Sequence, residues 1–142
     1  MWVTFMKIYF AGSVCGGRAD QELYLDIIKE LQKYGTVLTE HIGRKELSSY
    51  GETRYTEDFI LTRDVDWIKE SDVIVAEVTQ PSLGVGYELG VAESLGKKVY
   101  CLYRSQEGKR LSAMIRGNNK FIVKDYSSLD DAIKIIVELF KK

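Results

Sequence analysis

The chain has 142 residues, of which 45% are hydrophobic and 29% are charged, and its formal net charge is −1. This length supports a single domain with one sizeable core, and the composition is that of an ordinary globular protein. A near-neutral charge argues against a protein that coats polymeric nucleic acid, because such proteins carry a strongly basic surface. It leaves room for a small phosphorylated ligand, which needs only a few local donors.

The cysteines and the apolar segments exclude further classes. Cys15 and Cys101 have neither metal-ligand spacing nor the pattern of a disulfide framework, and with a single histidine present no metal site is expected. Free thiols suit a reducing compartment, so we expect a cytoplasmic protein. The apolar start is interrupted by Lys7 and no stretch approaches the roughly 20 apolar residues of a membrane span, so no membrane association is expected. Residues 1–5 are interpreted as an extension.

Short β-rich runs alternate with segments of helical periodicity along the chain. This alternation predicts one α/β domain over residues 1–142, with three layers and a five-stranded parallel sheet. The strands are expected at residues 7–11, 36–38, 73–77, 98–102 and 121–123. The helices are expected at residues 20–34, 56–70, 84–95, 111–116 and 129–140, with residues 40–54 as a loop.

Glycine and serine mark the predicted helix ends. Gly35 and Gly96 are expected to end the first and third helices, since glycine is favoured just beyond a helix C-terminus. Ser128 is expected to cap the last helix, whose apolar residues follow the helical repeat throughout. In parallel sheets ligands bind beyond the carboxyl ends of the strands. The candidate loops are therefore residues 12–18, 39–54, 78–88 and 103–116.

A glycine-rich loop, GSVCGGR at residues 12–18, joins the first strand to the first helix. Glycines let backbone N–H groups approach an anion, and the helix N-terminus adds a partial positive charge. Ser13 and Arg18 could donate further hydrogen bonds. The loop matches neither a Walker A motif nor a complete GxGxxG, so a tight strand-to-helix turn is an equally good interpretation.

A second loop, TQPSLGVGYE at residues 79–88, follows the most apolar strand and begins the third helix. Ser82 could donate to a phosphate, and Gly84 and Gly86 would allow a ligand to approach closely. Glu88 is placed in the first helical turn, where the helix dipole favours an ionised carboxylate by roughly 0.3–1 kcal/mol. An ionised carboxylate suits a nucleophile, although an isolated glutamate here would more often only satisfy the free N–H groups of the helix start.

Three further side chains are candidates, and each has an ordinary structural alternative. Asp64 precedes Trp67 by three residues on the second helix, hence lies on the same face, and is either ion-paired or functional. Tyr9 lies on the first strand and could equally be part of the core. His41, the only histidine, follows the second strand and could equally be a solvated loop residue.

Four segments carry a family resemblance that covers residues 7 to 117. They are YFAGSVCGGR (9–18), GTVLTEH (35–41), DVIVAEVTQPSLGVGYELG (72–90) and LSAMIRG (111–117). Together they resemble the 2′-deoxynucleoside 5′-monophosphate N-hydrolases, within the nucleoside 2-deoxyribosyltransferase superfamily. The third segment is long and specific, whereas the first would not suffice by itself. The fold that this resemblance implies is a flavodoxin/Rossmann-like α/β domain.

The resemblance implies a role for each matching residue. Glu88 would be the nucleophile, Asp64 the second catalytic carboxylate, and Tyr9 the residue that orients the nucleophile and the sugar. Ser112, with Met114 beside it, would reach the phosphate from a neighbouring subunit, which implies a homodimer. The expected substrate-binding residues are Gly12, Ser13, Val14, Cys15, Gly16, Gly17, Arg18, His41, Ser82, Gly84, Ser112, Ala113 and Met114.

The implied reaction converts a 2′-deoxynucleoside 5′-monophosphate to a free base and 2-deoxyribose 5-phosphate, through a glycosyl-enzyme and without a cofactor. By analogy with retaining glycosidases, the two carboxyl groups would lie about 5–5.5 Å apart. Cys15 replaces an arginine that the vertebrate enzymes usually carry, and a thiol cannot give a phosphate the charged bidentate contact of a guanidinium. Phosphate affinity is therefore expected to be lower, unless Arg18 or Arg116 compensates.

Two alternatives remain open on the sequence. A nucleoside 2-deoxyribosyltransferase or a ribonucleotide N-glycosidase would use the same carboxylates on another acceptor or another sugar. A nucleotide-binding module without turnover could use the same loops, since a fold does not fix a function. Residues 42–56 show no usable match, which leaves the base preference undetermined.

Overall fold

The computed structural model describes residues 6–14, 20–43 and 54–141. The described strands form one sheet in the order β2-β1-β3-β4-β5, and every neighbouring pair is parallel. The predicted α/β fold with a five-stranded parallel sheet is confirmed. The strands are β1 (Met6–Ala11), β2 (Gly35–Val37), β3 (Val73–Glu77), β4 (Lys98–Arg104) and β5 (Phe121–Tyr126).

Helices cover both faces of the sheet, because side chains of a strand alternate between two buried faces. Ile8 and Phe10 of β1 join the core formed with α1 and α5, whereas Tyr9 and Ala11 join the core formed with α2 and α3. A short 3-10 turn, Glu40–Gly43, follows β2. The helices are α1 (Gln21–Leu31), α2 (Glu57–Glu70), α3 (Leu83–Ser94), α4 (Ala113–Arg116) and α5 (Leu129–Leu139). Within the described ranges, no helix has the length and apolar character needed to cross a membrane.

The predicted end of the first helix is wrong. α1 ends at Leu31, three residues before the predicted end, and Gly35 is the first residue of β2. A Cβ atom on Gly35 would lie 2.1 Å from the carbonyl oxygen of Met6. Glycine is therefore needed here for the close approach of β2 to β1 and not to stop a helix.

Other boundaries follow the prediction more closely. Gly96 has a φ of +70° directly after α3, and the Ser128 hydroxyl accepts from the N–H of Asp131 at 3.2 Å, as expected of a helix end and a helix cap. β4 and β5 extend beyond their predicted ends, and their last residues, Arg104 and Tyr126, are paired in register.

The strand order fixes where a ligand can bind. β1 and β3 are neighbours in the sheet, but the chain continues from β1 to β2 on one side and from β3 to β4 on the opposite side. β1 and β3 therefore flank a topological switch point. Open parallel sheets bind ligands in the crevice beyond the carboxyl ends of two such strands. The two glycine-containing loops predicted as functional follow these two strands.

Candidate active site

A cavity of about 400 Å³ opens beside the carboxyl end of β1 and is lined by residues of α2 and α3. It brings together the three predicted catalytic side chains, Tyr9 from β1, Asp64 from α2 and Glu88 from α3. These residues are far apart in the sequence and come from three different elements. Apolar side chains form much of the remaining wall, namely Ile42, Ile60, Leu61 and Val65.

Tyr9 and Glu88 form the central contact of the site. The Tyr9 side chain is 1% exposed, and its hydroxyl donates a short hydrogen bond to Oε2 of Glu88. Burial, followed by the negative charges of Glu88 and Asp64, raises the pKa of Tyr9. The hydroxyl therefore stays protonated and acts as a donor to the carboxylate.

The pKa of Glu88 is raised to about 7. Burial is the largest cause and the charge of Asp64 adds to it, whereas the Tyr9 hydrogen bond and the charge of Arg63 act in the opposite direction. Near neutral pH, this carboxyl group therefore exchanges readily between its charged and neutral forms. Such a pKa is common among groups that carry out acid, base or nucleophilic steps.

The predicted helix-dipole effect on Glu88 is wrong. α3 begins at Leu83, its N-cap is Ser82, and its first turn contains no acidic residue, so Glu88 lies in the second turn. The dipole effect falls off within the first turn, and here burial outweighs it. Because the Ser82 hydroxyl accepts from the N–H of Val85 at 3.2 Å, Glu88 is not needed to cap the helix.

Asp64 is ion-paired and lines the cavity as well. Its Oδ1 accepts from both Nε and Nη2 of Arg63, each at 2.9 Å. The Arg63 guanidinium lies 4.8 Å from the centre of the Trp67 ring, which is itself packed against the α2–α3 core. Sequence spacing did not single out Arg63, because adjacent helical residues point in different directions and only the fold shows that their side chains meet.

His41 lies on the 3-10 turn, beside this ion pair. Its ring is 5.7 Å from the ring of Trp67, and its Nε2 is 3.4 Å from Nη2 of Arg63. The imidazole is not among the groups that line the cavity, so its predicted contact with substrate remains a prediction. In the described ranges, no cluster of three or more His, Cys, Asp or Glu residues could hold a metal ion.

The glycine-rich loop reaches the site through its first residues. Gly12 and Val14 line the cavity, and a Cβ atom on Gly12 would lie 3.0 Å from the ring of Tyr24. Ser13 is fully buried, and its N–H donates to the Tyr24 hydroxyl at 3.2 Å. Cys15, Gly16, Gly17 and Arg18 lie outside the described residues, so their predicted phosphate contacts are untested.

The two predicted phosphate loops face each other. A second cavity, of about 370 Å³, lies between them and is lined by Gly12, Val14, Ser82, Gly84 and Glu88. A Cβ atom on Gly84 would lie 4.0 Å from Oε1 of Glu88, so a larger side chain at this position would crowd the carboxylate oxygen that Tyr9 leaves unbound.

The segment from Ser112 to Met114 lies apart from the carboxylates of its own chain. The Ser112 hydroxyl accepts from the N–H of Met114 at 3.2 Å and caps α4. Ser112 and Met114 line a third cavity, of about 450 Å³, together with Ser82 and Leu83. Met114 is 81% exposed and Leu83 is 96% exposed, while the exposed Ala113 faces a smaller neighbouring cavity.

Replacing Glu88 by glutamine tests the raised pKa through stability. A carboxyl group with a folded pKa near 7 and an ordinary value of 4.5 binds its proton more tightly in the folded state. It therefore reduces stability progressively as the pH rises from about 4.5 to 7, by up to about 3 kcal/mol.

We expect the free energy of unfolding of Glu88→Gln to rise relative to that of the wild type between pH 5 and pH 8, as measured by urea titration. Glu107→Gln, at an exposed glutamate, should show no such relative change. A difference in the free energy of unfolding between Glu88→Gln and the wild type that stays constant over this pH range would contradict a raised pKa of Glu88.

Comparison with known proteins identifies the family. Residues 8–138 match the family model described as nucleoside 2-deoxyribosyltransferase. A 5-hydroxymethyl-dUMP N-hydrolase of Tetraodon nigroviridis is 56% identical over 139 residues, which are 95% of this chain and 96% of that protein. The protein of the same name from Homo sapiens is 50% identical over 123 residues, 84% of this chain and 71% of that protein.

One further relative supports this assignment, and one solved structure shares the fold. A putative 2′-deoxynucleoside 5′-phosphate N-hydrolase 1 of Nematostella vectensis is 57% identical and covers 87% of both chains. The CMP N-glycosidase BcmB of Clostridium botulinum has the same fold, with a TM-score of 0.71 and 21% identity over 94% of this chain and 98% of that one. The predicted resemblance is thus confirmed, and the chain belongs to the nucleoside 2-deoxyribosyltransferase family.

Proposed function

We propose that this protein hydrolyses the N-glycosidic bond of 2′-deoxynucleoside 5′-monophosphates and releases a free base and 2-deoxyribose 5-phosphate. The chain is an enzyme of the glycosidase class. The observation that carries the proposal is the convergence of Tyr9, Asp64 and Glu88 on one cavity, next to two loops suited to a phosphate. The deoxynucleotide names of the relatives support the substrate class.

Glu88 is the proposed nucleophile. A 2-deoxyribosyl bond breaks through an oxocarbenium-like state, and a carboxylate oxygen can attack C1′ as the bond to the base nitrogen breaks. Because Tyr9 binds Oε2, the other oxygen is left to react, on the side where Gly84 leaves space. Water then cleaves the glycosyl ester and returns Glu88 to its carboxylate form.

Asp64 is the proposed second carboxylate. It donates its own proton to the departing base and then, as a carboxylate, accepts one from the attacking water, as in retaining glycosidases. Once its proton has left, the carboxylate of Asp64 pairs with Arg63 and stabilises the positive charge that develops near C1′. The base would lie against the apolar wall, which includes Ile60 and Leu61.

The proposed phosphate subsite is the cavity between the two loops. Gly12 and Val14 contribute from one loop, and Ser82 and Gly84 from the start of α3, where the free backbone N–H groups of a helix attract anions. Binding energy from this remote phosphate would position C1′ against Glu88. No cofactor is required by this chemistry, and a cytoplasmic location suits the free thiol of Cys101.

A homodimer is proposed to complete the phosphate subsite. In its own chain Ser112 lines the third cavity, beside α3, and not the cavity that holds the carboxylates. The third cavity is also lined by the exposed apolar side chains of Leu83 and Met114. Exposed apolar patches of this kind mark protein interfaces. A second copy seated there would carry its own Ser112 towards the neighbouring site.

Base release by the wild type and by Glu88→Gln tests the function directly. We expect the wild type to release base from deoxynucleoside monophosphates and Glu88→Gln to lose at least about a thousandfold in rate while remaining folded. Residual activity within tenfold of the wild type would exclude Glu88 as the nucleophile. Adding a second free base separates hydrolysis from transfer, because a transferase, which the family name includes, would form a new deoxynucleotide.

The pH dependence of kcat/KM tests the pairing of Tyr9 with Glu88. Because the nucleophile must be ionised, we expect the rate to fall below a pH of about 7. The Tyr9 hydrogen bond lowers the pKa of Glu88, so Tyr9→Phe should move this fall to higher pH. The control Tyr100→Phe removes a hydroxyl that donates to the carbonyl of Leu139, and it should leave the pH of this fall in rate unchanged. A shift to lower pH in Tyr9→Phe would contradict the assignment.

Mixing two inactive variants tests the shared site. Ser112→Asp places a negative charge against the phosphate of the neighbouring subunit, and Glu88→Gln removes the nucleophile, so both homodimers should be weakly active. After subunit exchange, half of the dimers carry one intact site, which restores about a quarter of the wild-type activity. A mixture no more active than the average of its parents would contradict a site built from two chains.

A further inference from the structure

A fully buried carboxylate lies at the end of the central strand and is not used by the proposed chemistry. Glu77 is the last residue of β3, is 0% exposed, and does not line the cavity that holds Glu88. Its Oε1 accepts from the N–H of Thr79 at 2.9 Å, and its Oε2 accepts from the Thr79 hydroxyl at 2.7 Å and from the Tyr126 hydroxyl. A buried carboxylate is costly unless it is satisfied in this way, so these bonds hold the turn that begins the 79–88 loop in one geometry.

Arg104 links this turn to the start of α1. Its backbone N–H donates to the hydroxyl of Thr79 at 2.8 Å. Its guanidinium Nη2 contacts both carboxylate oxygens of Asp20, at 2.9 and 3.2 Å. Asp20 occupies the N-cap position of α1, but its side chain makes no capping hydrogen bond. The Asp20 carboxylate, 9% exposed, is used for Arg104 instead.

The connected bonds form a strap from the turn at Thr79 to the start of α1, where Tyr24 contacts Gly12 and Ser13 of the proposed phosphate subsite. We infer that Arg104, together with Asp20 and Glu77, positions this turn and the start of α1 for the 5′-phosphate, an inference that rests on the proposed function. Arg104 and Asp20 line neither the cavity that holds the carboxylates nor the cavity between the loops. They act on phosphate through Thr79 and through the start of α1, and are positioning residues instead of catalytic ones.

This arrangement predicts a selective defect. Loosening the strap lets the start of α1 shift relative to the turn at Thr79, which weakens the contacts to phosphate and leaves the contacts to sugar and base as they are. Small displacements of a positioned group reduce its contribution strongly, so we expect about a tenfold loss in phosphate recognition. The reactivity of Glu88 should be unchanged, because its pKa depends on burial, Tyr9, Asp64 and Arg63.

The experiment compares ligands with and without phosphate on Arg104→Met and Asp20→Asn. Arg104→Met keeps the backbone N–H and much of the apolar stem, so the bond to Thr79 is retained. We expect KM for a deoxynucleoside monophosphate and the inhibition constant of inorganic phosphate to rise about tenfold in both variants. The inhibition constant of the corresponding deoxynucleoside should stay within about twofold, and the pH profile should not move.

Three controls separate positioning from general damage. Lys7→Met breaks the ion pair of Lys7 with Glu70, 2.7 Å long, at the opposite end of the sheet, and should leave both inhibition constants unchanged. Arg104→Lys retains the charge and should recover part of the phosphate affinity. The double variant of Asp20→Asn and Arg104→Met should be no worse than either single variant, because the two side chains act as one pair.

Other results would overturn the inference. Unchanged phosphate inhibition in folded Arg104→Met and Asp20→Asn would show that the strap does not position the subsite. Equal weakening of phosphate and deoxynucleoside would show a general loosening of the fold. A wild type that releases no base from any deoxynucleoside monophosphate would instead refute the proposed function, and this is measured before any variant is made.

Discussion

The hydrogen bond between Tyr9 and Glu88 is the contact on which the candidate site depends. It places an ionisable carboxyl group in a largely apolar environment, where the charged form is costly unless it is compensated. The Tyr9 hydroxyl supplies part of that compensation and fixes one carboxylate oxygen. Burial still raises the pKa of Glu88 to about 7, so the carboxyl group changes its charge near neutral pH. The fold brings these two side chains together by packing α3 against the face of β1 that carries Tyr9.

The two cavities of the candidate site are neighbours, and both are lined by Gly12, Val14, Gly84 and Glu88. On the face of the sheet covered by α2 and α3, the first cavity collects the carboxylates of Asp64 and Glu88 and an apolar wall. Beyond the carboxyl ends of the strands, the first residues of two loops enclose the second cavity. The proposed bond cleavage and phosphate binding would therefore use adjoining volumes, with Glu88 at the boundary between them.

Paired charges keep this arrangement in place. Arg63 lies between Asp64 and the ring of Trp67, so one acidic group of the site is neutralised by a partner that is itself held by packing. On the other side, Arg104 pairs with Asp20 and joins the start of α1 to the turn at Thr79. Partly buried pairs of this kind specify geometry more than they add stability, because the cost of desolvation offsets much of the attraction.

The sequence by itself determined the alternation of strands and helices, the two loops after β1 and β3, and the identities of Glu88, Asp64 and Tyr9 as candidates. These follow from local periodicity and from a long specific motif. A predicted element boundary was wrong where a contact with another strand decided it. Gly35 begins β2 because the backbone of β1 lies too close to it for any side chain.

Only the tertiary structure decided the properties that arise between elements. The raised pKa of Glu88, the pairing of Arg63 with Asp64 and the strap from Glu77 to Asp20 all depend on distances between residues remote in sequence or on directions that spacing does not give. Burial outweighed the helix dipole at Glu88 because desolvation depends on everything packed around the carboxyl group, whereas the dipole depends on position in one helix. The family resemblance selected the candidate groups, to which local pattern left ordinary structural alternatives, and the surrounding packing sets their environment.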